Sequence, residues 1–437
     1  MRVLQAPINI ANQAWLNAQA LRLRGHEAEV WQFGESKFGY PADRVFLETH
    51  EPRAVVRTLV EAIGREFDVV HFHFARSLVP AAAPLPWLWD LPLWKALGVR
   101  VVFSFHGSDI RIPSVAKQLD RWSAHHFTDI PCDENQIEDL LAIIRSYADG
   151  FTISNVANRP HLPDAVYLPL SIDLREIPES PWQPGCVPVV AHAPSARGTK
   201  GTEFVLAGLE ALRKQGVEFE VDLIEGVSNR EVLERYARAD VVVEKLVNQG
   251  FGVSALEAMA VGRPVISRVV PFVYDEHPTL PIVSADPETF VDVLGKLLGD
   301  RAEMARRGAA GRPYVRENHD IERTGKRLEA LYSRPPAPAE QIYPGWTVPL
   351  RDRRISQLQA RVHELRTELS RWSKQAEEMP AALERAMEER RQLEHERDAL
   401  RGANLLLERK LEEARHSPKY RLARLLRKAA VRTHRRP

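Results

Sequence analysis

From residue 1 to about residue 330, short apolar runs alternate with amphipathic stretches. Asp68–Phe74, Arg100–Phe105, Val187–Ala191 and Phe219–Ile224 have the length and the β-branched or aromatic content of buried strands. Trp15–Arg24, Arg53–Arg65, Glu203–Lys214 and Asn229–Ala239 repeat their apolar residues at helical spacing. Strands alternating with helices predict an α/β fold, with parallel sheets covered on both faces. The alternation breaks over 171–186, where three prolines and a glycine fall within sixteen residues. The pattern therefore predicts a Rossmann-like domain over 1–170, a linker over 171–186 and a second Rossmann-like domain over 187–332. Ligands of such folds bind outside the carboxyl ends of the strands. A cleft between two facing domains is thus the expected active site.

The periodicity changes after a Pro-rich linker at 333–349. Counting sevens from Ile355 puts Ile355, Val362, Leu369, Leu383 and Leu411 at a-positions, and Leu358, Leu365, Leu393, Leu400 and Leu407 at d-positions. The frame holds to Ala414, with charged residues filling most other positions, and predicts a long coiled-coil helix over 350–415. Pro380 interrupts or restarts it. Asn404 at an a-position favours a low-order, in-register pair, so a homodimer is expected, with Arg390 and Arg397 weakening its seam. A solvated single helix, or one folded back on the body, is the competing reading. The tail, 416–437, carries eight Lys and Arg and no acid, interleaved with Tyr420, Leu422, Leu425, Leu426 and Val431. A basic amphipathic segment reads as a peripheral contact with an anionic membrane surface. Charge alone does not distinguish lipid phosphate from nucleic-acid phosphate, and an unstructured tail is the plainest alternative. The interleaved leucines favour lipid, so no nucleic-acid partner is expected.

Composition adds limits. Sixty basic and fifty-nine acidic residues nearly cancel, so bulk charge selects no partner. Two cysteines, Cys132 and Cys186, exclude a disulfide scaffold and fit a reducing, cytoplasmic setting. The N-terminus has no signal-peptide pattern, and the apolar region 78–97 is broken by prolines, Asp90 and Lys95, so no membrane span is expected.

The densest chemical signal lies at 241–270. An apolar run, Val241–Val243, leads into a loop containing Gly250 and Gly252, then a helical stretch from about Val253 to Ala260, then Gly262 and a further apolar run from Pro264. A strand, glycine loop and helix start aim free N–H groups and a positive helix end at one point, where a diphosphate would sit. Glu257 lies one turn inside, within reach of ligand hydroxyls.

Residues 249–265 resemble the donor-binding signature of the retaining, nucleotide-sugar-dependent glycosyltransferases of family four, Glu-Gly-Phe-Gly-Leu-x-x-Leu-Glu-Ala-Met-Ala-x-Gly-x-Pro-Val. Gln249 stands where that signature opens with Glu. Two more segments carry the resemblance. Phe105-His106-Gly107-Ser108-Asp109 is similar to the family's strand-end His-Gly-x-Asp, and Ser195-Ala196-Arg197-Gly198-Thr199-Lys200-Gly201 to its Gly-Arg-x…Lys-Gly loop. In strict register, Ser195 takes the arginine's place. Tyr167–Asp173 and Ala239-Asp240-Val241 match family segments more loosely, and Pro7–Gln13 replaces the usual glycine-rich turn of the acceptor half.

The resemblance covers about 1–330 and implies a GT-B fold, two Rossmann-like domains facing across a cleft. It implies transfer of a sugar from a nucleoside-diphosphate sugar to a glycan or lipid-linked acceptor, with retention and without a metal or other cofactor. Arg197 and Lys200 would hold the diphosphate with the amides of Gly250, Gly252 and Val253, Glu257 the ribose, and His106 and Gln249 the sugar. Two cations would then supply the leaving-group charge that a metal supplies elsewhere. Trp87, Trp89 and Trp94 are candidates to flank a lipid-linked acceptor, although Asp90–Leu97 reads equally as a helix packed on the sheet. The rival reading is a non-catalytic scaffold that works through its coil and tail, with Gln249 as its main support.

Other signals point elsewhere. His71 and His73 alternate along a strand and face one way, which fits a core or cleft pair better than half a metal site. No Asp-x-Asp occurs, which argues against a metal-bound nucleotide. Gly250-x-Gly252-x-x-Ala255 fits a dinucleotide fingerprint, but the next strand ends in Val269-Val270-Pro271 rather than in the acid that a ribose needs.

Overall fold

The computed structural model describes residues 1–47, 51–80, 88–130, 133–183 and 185–334, and beyond them 367, 388–399, 401–402 and 409. The chain divides into two units, Met1–Pro344 and Gly345–Pro437. In the first, a seven-stranded sheet is built from β1 (Arg2–Ala6), β2 (Glu27–Phe33), β3 (Arg44–Phe46), β4 (Val69–His73), β5 (Arg100–Phe105), β6 (Gly150–Ile153) and β7 (Val166–Tyr167). Its order is β3-β2-β1-β4-β5-β6-β7, and every pairing is parallel. A five-stranded sheet follows, from β8 (Val189–His192), β9 (Glu220–Leu223), β10 (Val241–Lys245), β11 (Val265–Ser267) and β12 (Val283–Ser284). Its order is β12-β11-β10-β8-β9, again all parallel. The strands and helices named from the sequence lie within three residues of these bounds.

Local chemistry explains the elements. Glu51 caps the helix Pro52–Gly64 by accepting from the Ala54 amide, and proline takes its first position, where no donor is lost. Ser228 caps Asn229–Tyr236 in the same way, through the Glu231 amide. The helix Val253–Val261 is apolar apart from Ser254 and Glu257, and Ala255–Val261 are all buried, as expected of a helix enclosed by protein. It ends at Gly262, whose φ of 96° suits glycine. The helix Arg301–Asn318 crosses it at backbone contact: a Cβ added at Gly311 would lie 2.7 Å from the Met259 carbonyl.

The helix Ile321–Tyr332 follows the second sheet in the chain but covers the first. Leu328, Leu331 and Tyr332 pack with Val3, Ala14, Ala18 and Leu21. Trp94 is buried in the helix Leu91–Ala96, where its Nε1 donates to Asp90 Oδ2 at 2.8 Å, so it is core rather than an acceptor contact. Trp89 is half exposed, while Trp87 and Cys132 lie outside the described residues.

In the second unit, residues 388–399 are helical, and Arg390 Nε pairs with Glu394 Oε1 one turn on, at 3.1 Å. Most of the expected coil over 350–415, with Pro380 and Asn404, lies outside the described residues, as does the 416–437 tail. Among the described residues, no helix is long and apolar enough to cross a membrane.

The backbone contact between the two helices generates a stability prediction. Gly311→Ala forces a methyl against the Met259 carbonyl and costs about 1–3 kcal/mol. Gly64→Ala, at a helix end with open space around it, leaves stability level or slightly higher. Urea unfolding of the full chain measures both, and equal stability of the two variants would refute the close crossing.

Candidate functional site

A cavity of about 410 Å³ opens where the carboxyl ends of both sheets meet. The first half contributes Ile10 and Ala11 after β1, His106 and Arg111 after β5, and Ser154 and Asn155 after β6. The second contributes Lys200, then Glu244 and Lys245 at the end of β10, and Gly252, Val253, Ser254 and Glu257. Strand order reverses at β1/β4 and at β8/β10, the switch points where such folds leave a crevice.

The loop before the helix Val253–Val261 is shaped by glycine. Gly250 has φ 81°, and an added Cβ would meet the Asn155 amide at 2.6 Å. At Gly252 an added Cβ would lie 2.9 Å from Glu244 Oε1. Gly252 is also the N-cap, and no side chain caps the helix, so its first N–H groups stay free to face the cavity.

Beneath that helix start lies a buried ion pair. Lys200 Nζ donates to Glu244 Oε1 at 2.6 Å, and Ser267 Oγ to Glu244 Oε2 at 2.6 Å. Burial alone would raise the Glu244 carboxyl, but Lys200, Lys245 and these hydrogen bonds hold it down to about 2. Glu257 contrasts with it. Burial pushes its carboxyl up to about 7, against the Asn229 amide that donates to it at 2.7 Å.

His106 belongs to a buried hydrogen-bonded chain. Its Nε2 lies 3.1 Å from His73 Nδ1, and His73 Nε2 lies 2.8 Å from Gln5 Oε1. Gln5 Nε2 donates to the Tyr332 hydroxyl at 3.0 Å, which meets His71 Nδ1 at 2.7 Å, and His71 Nε2 reaches Ser104 Oγ at 2.7 Å. Burial lowers His71 to about 3 and His106 to about 4, and takes His73 well below its ordinary value, so all three rings are neutral near pH 7. With the Gln5 carbonyl facing His73, that ring donates through Nε2 and accepts at Nδ1. His106 must then donate through Nε2, which leaves Nδ1 as an acceptor. That atom is buried and has no hydrogen-bond partner.

Of the residues expected from the sequence, His106, Lys200, Gly252, Val253 and Glu257 meet on this cavity. Gly250 shapes the loop behind it, and its carbonyl accepts from Ser267 Oγ at 3.2 Å. Gln249 lines an adjoining cavity of about 140 Å³ instead, with Arg111, Asp120, Ser123 and His161. Arg197 lies apart: its guanidinium is 3.2 Å from Glu225 and 3.5 Å from Glu203, with 44% of the side chain exposed. His71 and His73 are core rings stacked 5.0 Å apart. The sequence reading missed Glu244, Lys245, Arg111, Asn155 and Asn229 as cavity residues. For two of these a signal was present, since Glu244-Lys245 is an abrupt charged pair closing the apolar run Val241–Val243. Among the described residues, no group of three or more His, Cys, Asp or Glu converges as a metal site would require. A larger cavity of about 960 Å³ shares Ala11, Phe38, Tyr40, Asn229, Val253 and Glu257 with the first.

The model of the family described as glycosyl transferases group 1 matches residues 186–300. The chain is 36% identical over 120 residues to a D-inositol 3-phosphate glycosyltransferase of Xylanimonas cellulosilytica, a stretch covering 26% of this chain and 29% of that relative. It is 31% identical over 141 residues to the protein of the same name from Corynebacterium urealyticum, covering 30% and 32%. The chain thus spans about a third of the length of these relatives. In fold it is similar to the sucrose-phosphate synthase of Thermosynechococcus elongatus, with a TM-score of 0.56 at 14% identity over 76% of this chain and 98% of that one. Anabaena HepE in complex with UDP-glucose gives 0.54 at 13% identity, over 76% and 99%. The catalytic domain of Arabidopsis thaliana starch synthase IV, bound to ADP and acarbose, gives 0.51 at 14%, over 76% and 98%. Residues 186–300 thus match the model of the glycosyl transferases group 1 family, on a chain whose fold is the two-domain GT-B fold.

Proposed function

We propose that this protein transfers a sugar from a nucleoside-diphosphate sugar to a hydroxyl acceptor, with retention and without a metal. The observation that carries the reading is the uncapped start of the helix Val253–Val261, with Lys200 at its mouth and Glu257 one turn inside, all on one cavity. The amides after Gly252 and the Lys200 ammonium take the diphosphate. Glu257 accepts from the ribose hydroxyls, and His106 Nδ1 accepts from a hydroxyl of the sugar. The bond from the sugar's anomeric carbon to the phosphate oxygen breaks while the acceptor oxygen bonds to that carbon from the same face. The acceptor's proton passes to the departing phosphate oxygen. Nearby cations and helix amides stabilise the charge that grows there.

The similarity to D-inositol 3-phosphate glycosyltransferases supports a polyol phosphate as acceptor, and the basic 416–437 tail supports a lipid-linked one. In the same reading the 350–415 coil pairs two chains, and the paired tails dock on anionic membrane. The exposure of Leu393, a d-position residue of the described helix, supports a partner for that seam.

Three outcomes test these points. In calorimetry with EDTA present, one member of a panel of UDP-, GDP- and ADP-sugars binds, and Lys200→Ala weakens it roughly tenfold, about 1.4 kcal/mol. Binding lost to the chelator would sink the metal-free claim, unchanged binding in the variant would sink the lysine's role, and an inverted product anomer by NMR would sink retention.

The second outcome is a pH dependence. UDP-glucose carries no titrating phosphate between pH 5.5 and 7.5, so its affinity follows Glu257, which accepts best when ionised. Affinity should rise by roughly fivefold over that range, the worth of about 1 kcal/mol, and flatten in Glu257→Gln. The ligand-free fold behaves oppositely. Its carboxyl keeps a proton up to about 7 against an ordinary 4.5, so the folded state holds more protons than the unfolded, and stability falls as pH rises between those values. A flat affinity profile in the wild type would remove Glu257 from the ribose site.

The third outcome concerns mass. Light scattering gives a dimer for the full chain and a monomer for a Leu393→Lys, Leu400→Lys double variant. A wild-type monomer would refute the coil.

A further inference from the structure

Lys245 is buried, with 8% of its surface exposed, at the end of β10, and it lines the cavity beside Lys200. Its ammonium donates no hydrogen bond to any described residue. The nearest described carboxylate oxygen is Glu244 Oε1 at 4.0 Å. That carboxylate is already served by Lys200 on one oxygen and Ser267 on the other. Lys245 is therefore a surplus buried cation. Burial pushes its ammonium down to about 8, against the pull of Glu244.

Arg111 adds to the surplus. It reaches the same cavity from the first half, its guanidinium donates to Asn158 Oδ1 at 3.2 Å, and it makes no ion pair with a described carboxylate. Lys200, Lys245 and Arg111 thus line one cavity with Glu244, Glu225 and Glu257 at the mouth of an uncapped helix, with Glu244 served by Lys200 and Glu225 by Arg197. Desolvating an unpaired ammonium is costly unless an anion arrives to meet it. Arg197, which does not line the cavity, is meanwhile paired with Glu203 and with the lining residue Glu225, and Ser195 stands in the arginine's register.

We propose that Lys245, with Arg111 beside it, is the second cation that holds the donor's diphosphate, in the role the sequence assigned to Arg197. The inference rests on the nucleotide-sugar reading above and deepens it. The loss of the arginine from the loop after β8 is offset from a different strand, β10, whose last residue points into the same anion site. Since Lys245 is desolvated where Arg197 is solvated, its charge acts on the leaving phosphate with less screening.

The test is calorimetry of inorganic pyrophosphate and of UDP on the full chain, with thermal unfolding of each variant as a check on folding. Lys245→Met should weaken both ligands tenfold or more, Lys245→Arg should recover most of that loss, and Arg197→Ala should change affinity less than twofold. The slope of log affinity against log salt should fall in Lys245→Met and not in Arg197→Ala. A tenfold loss in Arg197→Ala, or unchanged binding in a folded Lys245→Met, would overturn the inference while leaving the proposed function standing. If Lys245→Met does not fold, Arg197→Ala decides by the same criterion. A wild type that binds neither ligand would overturn both readings.

Discussion

Glu244 is a carboxylate with no exposed side-chain surface, and much of the second half is arranged to keep it charged. It takes Lys200 from the helix Arg197–Lys200 after β8, and Ser267 from the end of β11. The loop must then pass over it at Gly252, where an added methyl would meet its oxygen. One interaction thereby ties the ends of three strands to the start of the cavity helix. A buried pair of this kind adds little net stability over apolar packing, but breaking it on one side costs about 3–5 kcal/mol. Its use here is placement: it fixes Lys200 at the one point where the free helix amides converge.

The first half grips the same loop from the other side. The Asn248 amide donates to the Trp122 carbonyl at 2.8 Å, and its side-chain oxygen accepts from the Ala124 amide at 3.0 Å. Asn155 reaches the Gln249 and Phe251 carbonyls at 3.4 and 3.3 Å. Arg268 meets Asp120 through two bonds of 2.6 Å, in the planar fork geometry that makes such pairs directional. Asn248 takes a positive φ of 60°, which asparagine tolerates better than most residues. The clasp leaves the Gln249 side chain on the smaller cavity while its carbonyl is held by Asn155. The departure from the signature's Glu is therefore set in an interdomain contact.

Periodicity and motif made the alternating strands, the two sheets and the glycine loop legible, because each depends on local sequence. Lys200 and Glu257 could be read for the same reason, being fixed by distance along one loop or helix. What could not be read depends on chain that is remote in sequence. Arg197 is three residues from Lys200, yet it pairs with Glu225 after β9 and does not line the cavity. Glu244 and Lys245 look like the polar end of a strand until the partners of one and the solitude of the other are seen. The helix Ile321–Tyr332 carries an ordinary amphipathic pattern, which says that one face is buried but not against which sheet.

That helix also changes what the histidines mean. His71 and His73 stand on β4 and His106 follows β5, so sheet geometry alone stacks the rings, His73 and His106 with centroids 5.3 Å apart. Stacking does not decide which nitrogen of His106 carries the proton. That follows the orientation of Gln5, whose amide nitrogen donates to the Tyr332 hydroxyl and whose carbonyl faces His73. A neutral ring can donate once and accept once, so a single orientation at Gln5 passes through His73 to His106. The unpartnered Nδ1 of His106 is thus linked through His73 and Gln5 to a tyrosine contributed after the whole of the second sheet, and the last described helix of the first unit is part of the support of the candidate site.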